Sequence, residues 1–170
     1  MATQPVGANV RASIVPGRQA VSDTHGDLRF FRYDRDGRLV SGGGLIVRWR
    51  ASERLARIVG ARLAEIFPQL GVPRFDYVWN GRLAITPDFF PHVHEFGPDG
   101  WTWIGCNGRG VALGIAMGRE LAHVVTGTDR RALALPIAPV RPIPLYGVAK
   151  LVAPLALIGR RVRDRQALRV

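Results

Sequence analysis

An α+β fold is the class this sequence predicts, and three observations predict it. Strand-type and helix-type stretches follow one another without the regular βαβα rhythm of a doubly wound sheet. An aromatic run, a turn and a second apolar run between residues 28 and 40 have the form of a hairpin. Two stretches, 52–67 and 111–126, read as helices, the first with apolar residues at helical spacing. The 170 residues allow one domain of ordinary size, and 47% hydrophobic with 22% charged residues is the balance of a globular chain.

Residues 1–27 show no clear period and contain Pro16-Gly17, so a loop with at most one short strand is expected there. Leu28-Arg29-Phe30-Phe31-Arg32-Tyr33 is a strand, Asp34-Arg35-Asp36-Gly37 a turn, and Arg38-Leu39-Val40 its return, because Asp tolerates the tight bend and Gly supplies positive φ. Gly42-Gly43-Gly44 and Leu45-Ile46-Val47 follow. Ser52 stands at an N-cap position ahead of Leu55, Ile58, Val59, Leu63, Ile66 and Phe67, and Pro68 ends the pattern. Phe75 to Thr86 alternates as one strand or two around Asn80-Gly81. Trp101-Thr102-Trp103-Ile104 is a short aromatic strand that leads through Gly105-Cys106-Asn107-Gly108-Arg109-Gly110 into a helix from Val111 to Thr126, with Gly127 as its stop. A proline-rich stretch precedes a last helix, from Leu145 to Gly159 and into an arginine run. These divide into 1–100, a sheet-forming portion; 101–130, a strand, loop and helix; and 131–170, the proline-rich segment and basic helix. No internal repeat is present.

The net charge is +11, and Lys150 is the single lysine among 24 basic residues. The arginines are scattered from Arg11 to Arg169, dense only at Arg160, Arg161, Arg163, Arg165 and Arg169. Nucleic-acid binding needs basic residues gathered on one face within a known module, and neither is present. An arginine-biased surface is the plainer reading. One cysteine, Cys106, rules out an internal disulfide framework and a multi-cysteine zinc site. Residues 1–17 lack the apolar core of a signal peptide, so a cytoplasmic location is expected. The apolar stretch 132–159 is interrupted by Pro136, Pro139, Pro142, Pro144 and Pro154, which argues against a membrane span. A helix lying on a protein or bilayer surface stays open.

Chemistry is concentrated in the glycine loop. Gly105, Gly108 and Gly110 let backbone approach a bound group, and the amides that open the following helix are unpaired donors at a positive dipole end. The spacing GxxGxG is not the dinucleotide fingerprint, and on the residues alone a structural turn and a ligand loop are equally good readings. His92 and His94 share one face of an extended segment but have no third metal ligand at suitable spacing, so no metal site is assigned. His25 stands in a polar turn and His123 in a helix body, as a core or edge residue. Cys106 lacks a base partner nearby and reads as a small buried filler, and Asp88, after Thr86-Pro87, as a turn former rather than a general base.

Trp79-Asn80-Gly81-Arg82-Leu83-Ala84-Ile85-Thr86-Pro87-Asp88, then Pro91, then Gly105-Cys106-Asn107-Gly108-Arg109-Gly110-Val111-Ala112 resembles the carboxy-terminal half of FAD-dependent amine and amino-acid oxidoreductases, the superfamily of D-amino-acid oxidase, glycine oxidase and sarcosine oxidase. The shared pattern is W-x-G, T-x-D-x-x-P, and then G-x-x-G-x-G before an alanine-rich helix. Thr3-Gln4-Pro5 and the hairpin from Arg29 to Gly43 extend the likeness over almost the whole chain. Ile85-Thr86, Pro91-His92 and the proline-rich C-terminal helix are similar to the gamma-glutamylputrescine oxidase-like branch.

The resemblance implies oxidation of an amine by hydride transfer to FAD, with Gly105, Asn107, Gly108, Arg109, Gly110 and Val111 as the cofactor-facing residues. It implies an antiparallel or mixed substrate-domain sheet with flanking helices, then the glycine loop and helix of the FAD domain and a C-terminal helix. Three departures qualify it. Gly81-Arg82-Leu83-Ala84 stands where some members carry the Gly-x-Arg-Pro arginine for a substrate carboxylate, which points to an amine. No cysteine lies just upstream of Thr86-Pro87-Asp88, so FAD is expected to be non-covalent. No strand–GxGxxG–helix occurs anywhere in these residues, so the FAD-binding fold is expected to be incomplete. The chain then reads as a fragment with weak or absent FAD binding, inactive alone, whose partner is a chain or segment supplying the missing half. The alternative is a non-catalytic module docking on a protein or anionic membrane through its apolar tail and arginines.

Overall fold

The computed structural model describes residues 1–27, 29–45, 49–127 and 129–167. Its elements are β1 (Ala2–Pro5), α1 (Ala8–Ser13), β2 (Val21–Ser22), β3 (Phe30–Tyr33), β4 (Arg38–Ser41), α2 (Ala51–Ile66), β5 (Phe75–Tyr77), β6 (His92–Glu95), β7 (Trp101–Ile104), α3 (Gly110–Val125) and α4 (Tyr146–Ala167). The fold is α+β, as the pattern of elements predicts, and its sheets are antiparallel, within the antiparallel or mixed arrangement that the resemblance implies. Two compact units divide it, residues 1–80 with 145–170, and residues 81–144.

The first unit is built on a five-stranded sheet in the order β2-β3-β4-β1-β5, with every neighbour antiparallel. The β3–β4 hairpin forms where Asp34 and Gly37 predict it. The Asp34 carboxylate accepts from the Asp36 and Arg38 amides at 2.9 and 2.8 Å, and Gly37 has φ +76°. A side chain at Gly37 would meet only the movable end of the Arg11 side chain, so it is the backbone conformation that asks for glycine. Leu28 and the pair Ile46-Val47 lie outside the described residues.

Residues 1–27 hold more structure than a loop. β1 occupies the inner seat between β4 and β5, and its Thr3 hydroxyl donates to the Gln4 carbonyl at 2.7 Å and accepts from the Leu39 amide at 2.9 Å. α1 is too short, at 6 residues, to show a period in the sequence. Along α2 one face buries Leu55, Val59 and Leu63 beside Met1, Val6, Ile14, Tyr33 and Leu39, which together form the core of this unit. α2 starts one residue before Ser52. Arg50 takes the cap position with left-handed backbone, and no side chain caps the helix, so Ser52 is not its N-cap. Phe67 closes α2 and stacks edge-on against Phe31 at 4.9 Å. A buried ion pair joins Arg62 to Asp27, whose carboxylate also accepts from the Gly44 amide at 3.3 Å.

Of the one strand or two expected from Phe75 to Thr86, only Phe75–Tyr77 forms, because only it finds a ladder partner, β1. α4 continues through Pro154 to Ala167, beyond Gly159. Among the described residues no helix is long and apolar enough to cross a membrane.

The second unit holds the β6–β7 hairpin, in which His92 pairs with Ile104 and Glu95 with Trp101, and the helix α3. Ala138 and Ile137 run beside β6, tied by the Ala138 amide to the Val93 carbonyl at 2.8 Å. Arg130 closes a two-pronged pair with Glu95 at 2.9 and 2.8 Å.

Candidate functional site

Three consecutive features of the β7–α3 loop demand unusual backbone: Gly105, Asn107 and Gly108 have φ of +83°, +48° and +85°. Gly105 is buried, and a Cβ there would lie 2.6 Å from Thr86 Cγ2 and 2.9 Å from the Phe90 carbonyl, so only glycine fits. Asn107 tolerates the left-handed region because its side chain bonds locally. Its Nδ2 donates to the Gly105 carbonyl at 2.8 Å and to Thr86 Oγ1 at 3.2 Å, and its Oδ1 accepts from the Thr86 amide at 3.0 Å. The Asn107 amide itself reaches the Ala84 carbonyl at 3.0 Å. One amide side chain therefore staples the glycine loop to segment 84–86.

The other half of the loop is open. Gly108, Arg109, Gly110 and Val111 are exposed, and nothing lies within 4 Å of the place a Gly108 Cβ would occupy. α3 has no side-chain cap and no acidic residue in its first turn. Its first bonded amide outside the opening turn is Leu113, which reaches the Arg109 carbonyl at 3.0 Å. The opening amides thus face solvent at the positive end of the helix. Arg109 folds its guanidinium back to the Phe89 carbonyl at 3.0 Å rather than over that opening. Around it Leu83, Ile85, Phe89, Phe90 and Val111 are exposed apolar side chains. Along α3, Val111 (88% exposed), Ile115 (77%) and Val125 (68%) are further exposed apolar side chains, while Met117 and Val124 are buried.

Segment 86–94 is organised by Asp88. Its carboxylate accepts from the Phe90 amide at 3.1 Å and pairs with His92 Nε2 at 3.0 Å. These two contacts, the amide first, hold its pKa down at about 2. Asp88 is a turn former, as its place after Pro87 suggests, and also orients His92, a role the sequence does not reveal. The His92 and His94 rings stack 6.0 Å apart, and His94 Nδ1 bonds the Ala138 carbonyl at 2.8 Å. Among the described residues no group of three possible metal ligands gathers here or elsewhere. His25 pairs with Asp23 at 2.6 Å. His123 is exposed rather than a core or edge residue, and Cys106 is half-buried rather than a filler, its Sγ 3.9 Å from the Ala84 carbonyl.

A strand, a left-handed glycine loop and an uncapped helix start, stapled to a Thr-x-Asp turn, leave the outer half of the loop open. The sequence profile described as "FAD dependent oxidoreductase" matches residues 1–124, and the chain belongs to that family. It is 28% identical over 166 residues to the gamma-glutamylputrescine oxidoreductase of Escherichia coli K12, covering 96% of this chain and 38% of that protein. It is 30% identical over 132 residues to the probable oxidoreductase OrdL of Haemophilus influenzae, covering 77% of this chain and 30% of that one. To the OrdL of Rhizobium meliloti it is 30% identical over 114 residues, 67% of this chain and 27% of the relative. The chain thus spans well under half the length of these relatives. No solved structure matches it.

Proposed function

We propose that this chain supplies the substrate-side sheet and the flavin-facing loop of an FAD-dependent amine oxidoreductase, and that it works with a dinucleotide-binding segment outside these 170 residues. The observation that carries the reading is the half-open loop: Asn107 fixes one side to Thr86 while Gly108 to Val111 stay uncovered. The residues suit one edge of the cofactor. Gly108 leaves room for a flat ring, and the amides at the start of α3 donate toward negative charge that develops there. They do not suit its diphosphate, for which the sequence contains no strand–GxGxxG–helix. When bound, FAD supplies the acceptor for hydride leaving a C–H bond beside an amine nitrogen.

The roles of the chain's own residues follow. Thr86 and Asn107 set the loop's conformation, Gly105 allows its close approach to the Thr86–Phe90 turn, and the exposed Phe89 and Phe90 exclude water at its margin. The exposed apolar side chains Val111, Ile115 and Val125 of α3 give the dinucleotide-binding segment a surface to pack on. An amine is preferred over an amino acid because Leu83-Ala84 replaces the proline-bearing arginine stretch that grips carboxylates in some members, and the first-named relative bears the name of an amine-derived substrate.

The test is flavin titration of the purified chain, alone and co-expressed with the amino-terminal half of the Escherichia coli relative. Little flavin should be retained by the chain alone, and a yellow complex should form with the added half. Gly108→Val should abolish that colour without loss of α-helical circular dichroism. Stoichiometric flavin and amine-dependent peroxide from the chain alone would overturn the need for a second segment. A complex whose flavin content ignores Gly108→Val would overturn the loop assignment.

A further inference from the structure

Beside the β3–β4 turn, in the first unit, α1 and the segment after it border a cleft of about 270 Å³ lined by Ala8, Arg11, Ala12, Pro16, Arg18 and Tyr33. Tyr33 is only 8% exposed, and its hydroxyl is buried with no hydrogen-bond partner. Buried phenol hydroxyls ordinarily find a partner, so an orphan at the wall of a cleft calls for one from outside the chain. The Arg11 charge acts on this same phenol, opposing the rise in pKa that burial causes. Arg18 donates one bond, to the Asp34 carbonyl, and neither it nor Arg11 forms an ion pair among the described residues. The nearby Asp34 carboxylate accepts through Oδ1 from the Asp36 and Arg38 amides of its own turn.

The backbone that presents Arg18 is itself unusual. Val15 and Arg18 lie in the left-handed region at φ +50° and +54°, closed by the Arg18 amide on the Val15 carbonyl at 2.8 Å. A β-branched residue is a true outlier there, and such strain gathers where a side chain must be held for a ligand. Two arginine forks and a phenol O–H are the donors that suit a planar oxyanion. The methyls of Ala8 and Ala12 and the ring of Pro16 give the rest of the cleft apolar walls. The volume falls just below that of drug-sized ligand pockets, which suits a ligand of a few heavy atoms.

We infer that this cleft is a binding subsite for a small organic carboxylate, gripped by Arg11 and Arg18 and by a hydrogen bond donated from the Tyr33 hydroxyl. It is independent of the glycine loop and of flavin. Free phosphate shares the oxyanion chemistry but leaves the apolar walls unused.

Ligand-observed NMR on the 170-residue chain tests it, with butyrate and, in a second arm, inorganic phosphate, each at an ionic strength fixed with chloride. Butyrate should saturate the chain. Arg11→Gln and Arg18→Gln should each weaken it at least tenfold, and Tyr33→Phe severalfold. Tyr33→Phe should melt at or above the parent, because it removes a buried hydroxyl with no partner. Arg18 is solvent-exposed, so Arg18→Gln keeps the test alive should Arg11→Gln fail to fold. Butyrate binding that is absent in the parent, or unchanged in Arg18→Gln and Tyr33→Phe, would overturn the subsite. Saturation by phosphate but not by butyrate would overturn the carboxylate assignment, and a lowered melting point for Tyr33→Phe would show that the hydroxyl already has a partner.

Discussion

Gly105→Ala is the substitution that reads the architecture of the loop most directly. Two costs arise at once. The backbone at φ +83° costs a residue with a Cβ roughly 1–2 kcal/mol. The new methyl would lie 2.6 Å from Thr86 Cγ2 and 2.9 Å from the Phe90 carbonyl, the latter a backbone atom that cannot swing away. Overpacking of this kind typically adds about 1–3 kcal/mol, for a total of about 2–5 kcal/mol. Gly108→Ala is the internal control. Its φ of +85° is nearly the same, but its Cβ meets open space, so only the roughly 1–2 kcal/mol of backbone cost applies. The difference between the two variants isolates the steric part. Urea unfolding followed by tryptophan fluorescence measures it, with Trp101 and Trp103 on β7 as reporters next to the loop. Equal destabilisation by the two alanines would refute the close approach of Gly105 to the Thr86–Phe90 turn.

Further outcomes are expected elsewhere. Asn107→Gly keeps the left-handed turn but loses the staple to Thr86, so it should cost about 2–4 kcal/mol in urea unfolding, and Asn107→Ala roughly 1 kcal/mol more. Asp27→Ala strands Arg62, whose side chain is 18% exposed, and should cost about 3–5 kcal/mol, part of it recovered by adding Arg62→Met. Leu63→Ala, at 1% exposure in the core of the first unit, should cost about 2–5 kcal/mol in the same assay. Asp88 carries its charge more readily folded than unfolded, with a pKa of about 2 against an ordinary 3.8. Its contribution is therefore complete above about pH 4 and vanishes as pH falls through 2. Urea midpoints between pH 5 and 2 should fall less steeply for Asp88→Asn than for the parent, and parallel curves would refute the Asp88–His92–Phe90 arrangement.

Local chemistry explains what could be read ahead of the structure. The β3–β4 hairpin follows from Asp34 and Gly37, whose roles are complete within four residues, and α2 follows from the spacing of Leu55, Val59 and Leu63. α1 escaped because a six-residue helix has no period to show, whereas β1 falls on Thr3-Gln4-Pro5, within the one short strand allowed for residues 1–27, and is a strand through its neighbours β4 and β5. Ser52 misled because a cap is a backbone conformation before it is a residue type, and Arg50 adopts it. The glycine loop was visible, along with the Thr86-x-Asp88 turn, but the bonds between them were not. Asn107 and Thr86 are 21 residues apart, and nothing in either residue's own neighbourhood names the other.

The seat of β1 has a consequence for how the protein is assembled. A sheet is a series of pairwise ladders, and the strand that comes first in the chain here joins two that come 33 or more residues later in it. β3 and β4 can zip together as soon as they exist, whereas β5 has no ladder until the opening residues are in place. Deleting the four residues Ala2–Pro5 would thus cut the sheet through its interior, leaving a three-stranded remnant and a solitary strand.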